Sequence, residues 1–170
     1  RTTDLGATWT ILPMTDVRGY AHIIRQDPEQ SRILYLGTEF GLWISLDTGA
    51  TWIAFKNNLP TTAVRDIAFQ RRDYALAIAT HGRGIYVIDE LDVLRAIDPS
   101  VIRDEITLLP TVPAIRTQGG GAGRWFGGDA DYVGESKTES ARVWYVLKDR
   151  HVRGSFTITI KDSSGTVIRS

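Results

Sequence analysis

Side chains able to do chemistry are few and scattered in this sequence. The three histidines, His22, His81 and His151, have no other His, Asp or Glu at a metal-ligand spacing. No cysteine is present, which removes a disulfide framework, a zinc ribbon and a thiol nucleophile. A Gly-x-Ser-x-Gly motif for Ser-His-Asp catalysis is missing. Asp129-Ala130-Asp131 has the acid-x-acid form that can hold a divalent cation, but within a Gly-rich stretch it reads as solvated turn chemistry. Asp27 and Glu29 flank Pro28 and read as a structural loop between strands. A glycosidase needs two carboxylates about 5–10 Å apart across a cleft, and sequence spacing assigns no such pair. No catalytic, cofactor-binding or metal-binding residue is therefore assigned. The stretch that stands out is Thr80-His81-Gly82-Arg83-Gly84, where two glycines bracket an arginine between two expected strands. Two readings stay open there. His81 and Arg83 project from a loop and contact a ligand, or they pair with neighbouring sheets or the helix that follows.

The elements that must position these residues come from a repeat. Thr2-Thr3-Asp4-Leu5-Gly6-Ala7-Thr8-Trp9 recurs 43 positions later as Ser45-Leu46-Asp47-Thr48-Gly49-Ala50-Thr51-Trp52. Leu36-Gly37-Thr38 before Gly41-Leu42-Trp43-Ile44 recurs as Ile78-Ala79-Thr80 before Gly84-Ile85-Tyr86-Val87. A period of about 45 residues holding several short strands is the size of one β-propeller blade. Within each octamer, Asp4 or Asp47 can accept hydrogen bonds from a tight turn, with Thr2 or Ser45 helping. Gly6 and Gly49 supply a positive φ. Thr8 and Thr51 complete the motif. Trp9 and Trp52 are expected to open the next strand and pack between sheets.

Short runs rich in β-branched and aromatic residues read as strands: 33–36, 42–45, 52–55, 75–79 and 85–88. The single helix expected spans Glu90 to Ile97, with Asp89 as N-cap and Leu91, Leu94 and Ile97 on one face. It stands where a third octamer would follow, and so marks the last blade.

Both octamers match Ser/Thr-x-Asp-x-Gly-x-Thr-Trp in full, and residues 1–98 resemble the Asp-box, or BNR-repeat, propeller families. These include sialidases, xyloglucan-cleaving glycosidases and sortilin-type receptors. Gly37 to Trp43 and Ala79 to Asp89 are similar to large bacterial exported repeat proteins. The resemblance implies an extracytoplasmic protein that binds carbohydrate or protein ligands without a cofactor. It also implies two alternatives: part of a glycoside hydrolase whose carboxylates lie mostly in other blades, or a structural scaffold.

The second half changes character. Residues 99–140 read as a Pro/Gly-rich linker carrying Trp125-Phe126, with Gly119 to Gly128 lacking the Gly-Lys-Ser/Thr of a phosphate loop. From Ala141 the pattern is strand again. Val143, Tyr145 and Leu147 alternate with Trp144 and Val146, as Phe156, Ile158 and Ile160 do with Thr157 and Thr159. This piece, 141–170, resembles the start of an Ig-like sandwich, which needs about seven strands.

Composition agrees with an all-β chain. Asp outnumbers Glu 14 to 6 and there are 16 Gly, which favours turns over helices. Lys+Arg and Asp+Glu are 20 each, so the basic excess of a nucleic-acid surface is missing. No apolar run approaches the roughly 20 residues of a membrane span. The whole is expected to be all-β: the last blades of a partial propeller, a linker and a partial sandwich. The start at Arg1, just before an octamer, is expected to leave a signal peptide and the earlier blades outside this sequence.

Overall fold

The computed structural model describes residues 1–98, 100–101, 103–111, 114 and 140–169. Among them the chain is all-β, built from small antiparallel sheets and one short helix. The first sheet is a meander of β1 (Ala21–Gln26), β2 (Leu34–Thr38), β3 (Gly41–Ser45) and β4 (Ile53–Phe55). The second is β5 (Val64–Gln70), β6 (Ala75–Thr80) and β7 (Ile85–Ile88). Residues 1–20 contain no strand.

The repeat seen in sequence is a repeat of register. Pairing of β1 with β2 slips between Ala21 and Ile23, and pairing of β5 with β6 slips between Val64 and Asp66. Both bulges fall at the first residues of their sheets, so each sheet bends and twists at the same place. The two bulged residues, His22 and Arg65, touch across the sheets at 3.3 Å.

The sheets stack face to face. Alternation along each strand sends Tyr35, Leu42 and Ile44 from the first and Val64, Ile67 and Ile78 from the second into one core, each 6% exposed or less. Each such side chain contributes about 1.5–3 kcal/mol by leaving water. A second, smaller core of Leu34, Leu36 and Trp52 lies on the other face of the first sheet, under Leu12 and Val17.

The helix, α1 (Leu91–Ala96), is shorter than expected. Asp89 does not cap it. Glu90 takes the cap position in a left-handed conformation (φ 62°) and makes no side-chain cap bond. Its carboxylate is turned to the later chain instead, accepting from Trp144 Nε1 at 2.8 Å and facing Arg142 at 3.5 Å. Leu91 is buried in the main core, and Leu94 packs against it.

The later segments differ from their expected form. Strand β8 (Ile106–Leu108) lies within the stretch read as linker and pairs with β9 (Tyr145–Leu147). The Leu109 amide donates to Trp144 O and the Lys148 amide to Glu105 O, partners far along the chain that local composition cannot reveal. The alternating run from Phe156 is strand only at β10 (Ile160–Lys161), which pairs with β11 (Val167–Arg169). Ile158 and Ile160 are over 40% exposed, so among the described residues no facing layer stabilises a longer strand. Trp125-Phe126, Gly119 to Gly128 and Asp129 to Asp131 lie outside the described residues.

Candidate functional site

The two octamers fold into the same hydrogen-bonded turn. Asp4 Oδ1 accepts from the Thr8 amide at 2.9 Å, and Oδ2 accepts from Thr8 Oγ1 at 2.6 Å. Asp47 does the same with Thr51 at 2.8 and 2.6 Å. Thr2 Oγ1 donates to Asp4 and accepts from the Gly6 amide at 2.8 Å, while Ser45 Oγ serves Asp47 and Gly49 at 2.8 and 2.7 Å. Each aspartate has spent its oxygens on its own turn, a structural use. The turn places two successive residues at positive φ, Leu5 (57°) with Gly6 (93°), and Thr48 (64°) with Gly49 (89°).

The tryptophans part company. Trp52 is 8% exposed, just ahead of β4, and its Nε1 donates to Pro13 O at 3.0 Å. Trp9 is 73% exposed and opens no strand. Its Nε1 folds back on Gly6 O at 3.1 Å, because no sheet among the described residues lies against it.

These bonds hold the carboxylates ionised. Asp4 is held down to about 2 by the Thr8 hydroxyl first, then by the Thr8 amide and Thr2. Asp47 is also lowered: burial works against this, and the bonds from Thr51 and Ser45 outweigh it. A lowered carboxyl stabilises the fold above its unfolded value and loses that contribution as pH falls through its folded value. The first turn therefore stays formed on acidification until pH approaches about 2, near Asp4's own value. Carboxyl carbon shifts followed by NMR from pH 6 to 1.5 check this, and an Asp4 midpoint near 4 would refute it.

Strand β3 runs from Gly41 to Ser45, so the octamer turn and the β2–β3 hairpin lie at opposite ends of the sheet. His81 and Arg83 sit in the matching β6–β7 hairpin, at the end away from the turns. Both hairpins are built alike. The amide of Glu39 donates to Tyr20 O, and that of His81 to Ala63 O at 2.8 Å. Thr38 Oγ1 donates to Gly41 O, and Thr80 Oγ1 to Gly84 O at 2.6 Å. The second loop carries one residue more, which Gly82 and Gly84 accommodate at φ of 72° and 78°. Among the described residues, the His81 and Arg83 side chains are exposed, with no hydrogen bond or ion pair to the sheets or the helix.

A groove of about 530 Å³ opens at this same end. Phe40 and Trp43 line it together with Asp16, Arg18 and Lys56. Phe40 is 51% exposed. The groove wall at Leu59–Thr61 runs directly into Thr62 and Ala63, which hold His81 through Thr62 Oγ1 and the Ala63 carbonyl. Sequence reasoning missed these lining residues. The usable signal was the repeat itself: Thr38/Thr80 and Gly41/Gly84 place Phe40 in the hairpin equivalent to that of His81 and Arg83.

No family model matches this chain, and no solved structure matches it. Among curated proteins, two sequences of xyloglucanase Xgh74A from Acetivibrio thermocellus are 46% identical to it over 61 residues. The likeness covers 31% of this chain and only 7% of the length of those relatives.

Proposed function

We propose that residues 1–98 are blades of an Asp-box β-propeller in an exported protein, followed over 99–140 by a connecting stretch that lends β8 to the start of an Ig-like sandwich over 141–170. On this reading the chain binds carbohydrate at the hairpin end. The repeated register, bulge and turn support the propeller. So does the free face of the second sheet. Ile85 and Val87 are 73% and 59% exposed, while their equivalents Leu42 and Ile44 are buried under the next sheet. A stack that continues would cover them.

The observation carrying the ligand reading is the groove with Phe40, Trp43 and charged side chains free of other partners. Ligand clefts of about 300–1,000 Å³ combine aromatic walls with a few polar groups in this way. The partial likeness to a xyloglucanase adds carbohydrate as the ligand class. Calorimetric titration of this chain with xylogluco-oligosaccharides is expected to show saturable binding that Phe40→Ala weakens about tenfold, the effect of losing one ring contact of roughly 1.4 kcal/mol. Titration without heat or saturation by a folded sample refutes it.

The same likeness favours one second reading, part of a glycoside hydrolase. That reading requires release of reducing ends from xyloglucan by a protein carrying this chain, abolished by substitution of a cleft carboxylate. Binding without turnover removes it. A scaffold would show neither.

A further inference from the structure

The formal charge of the chain is zero, yet its charges are not evenly engaged. At the octamer and helix ends, carboxylates and cations are consumed by local partners: Asp4 and Asp47 by their turns, Asp27, Glu29 and Asp92 by Arg95. Arg32 is spent on the carbonyls of Leu46, Arg95 and Ile97. The hairpin end differs. Among the described residues, Arg18, Lys56 and Arg83 are exposed there without a hydrogen bond or ion pair, and the Arg65 side chain has a single hydrogen bond, to the His22 ring. The unengaged carboxylates at that end are Asp16 and Glu39. Cations thus exceed carboxylates at this end, and Arg18 and Lys56 line the groove itself with Asp16 as the one carboxylate among them.

Aromatic faces select what can use that charge. A pyranose presents a face of C–H groups, positively polarised, that lies well on the negative face of a ring such as Phe40 or Trp43. Its carboxylate, if it has one, then meets arginine or lysine at the rim, where Arg offers a planar fork of donors. An acidic peptide would use the cations but leave the rings idle.

We propose that the groove between Arg18, Phe40, Trp43 and Lys56, with Arg83 in the neighbouring β6–β7 hairpin, takes an oligosaccharide carrying carboxylates, that is, a uronic-acid-containing glycan. This rests on the carbohydrate reading above and narrows it. A field of free cations also raises the encounter rate of an anionic ligand and makes it salt-dependent.

The test titrates this 170-residue chain with tetragalacturonate, with a neutral xylogluco-oligosaccharide and with a short polyglutamate. Tetragalacturonate is expected to bind at least about tenfold more tightly than the other two at low salt. Arg18→Gln, Lys56→Gln and Arg83→Gln each weaken it about threefold, the size of one exposed charge contact. Raising salt from about 0.05 to 0.3 M weakens it further, and neutral binding is insensitive to both changes. Far-UV circular dichroism certifies that each variant is folded. Neutral ligand bound as tightly, with no effect of the glutamine variants, overturns the uronate proposal and leaves the carbohydrate reading standing. No glycan bound by folded protein overturns both. Polyglutamate bound best, indifferent to Phe40→Ala, overturns the proposal in favour of a peptide surface.

Discussion

Replacing Arg95 by alanine is expected to cost about 3–5 kcal/mol of folding stability, the usual penalty for stranding a buried charge. Arg95 and Asp27 side chains are 8% and 0% exposed, and Arg95 Nε lies 3.1 Å from both Asp27 oxygens. Its Nη1 reaches Glu29 and Asp92 at 3.0 and 3.2 Å, and its guanidinium lies over the Tyr74 ring. One side chain thereby ties α1 to the loop after β1. Asp27 is otherwise held by the amides of Glu29 and Gln30, each at 2.9 Å, and by Tyr35 Oη at 3.4 Å. Burial pushes the Tyr35 phenol up, and the Asp27 charge beside it adds to the shift. Those partners are too few to compensate a carboxylate that has lost its cation.

The double variant Arg95→Ala/Asp27→Asn is expected to lose less than the sum of the two single changes. Urea unfolding at pH 7 measures the single and double variants. A loss under about 1 kcal/mol for Arg95→Ala, with the two changes additive, would show the cluster to be ornamental.

The second large effect is expected at Gly37 of β2, which lies against Val64 of β5 in the facing sheet. A Cβ there would stand 2.7 Å from Ile23 Cγ2 and from Val64 Cγ1, and 2.9 Å from the Val64 carbonyl oxygen. Side chains can yield, but the carbonyl belongs to the backbone of β5. Gly37→Ala is therefore expected to destabilise by about 2–3 kcal/mol, at the upper end for overpacking. Val64→Ala made alongside should return part of this, because it removes one of the two methyl clashes and leaves the carbonyl. Full additivity in a double-mutant cycle would show that the sheets separate freely.

How much of this was legible in the sequence varies by element. Five strands of the first 88 residues stand within two residues of their expected bounds, because alternation and Gly/Asp punctuation are local signals. The octamer turns were legible for the same reason: Asp, hydroxyl and glycine partners lie within four residues of one another. Strand β8 was not, since its partner β9 is nearly forty residues away. Nor was the cap of α1. Asp89 has the better cap chemistry, but Glu90 is drawn to Trp144 and Arg142. The groove was also invisible, because residues from four separate segments meet there.

The sequence by itself determined the all-β class, the period and the turns, all of which depend on neighbours along the chain. Only the tertiary structure decided which charges are spent and which are free. Nothing local distinguishes Arg95, buried among three carboxylates, from Arg83, exposed without a partner. Docking α1 against the loop after β1 buries one arginine, while the β6–β7 hairpin leaves the other in solvent, and a charge's role follows from the dielectric and partners that packing gives it.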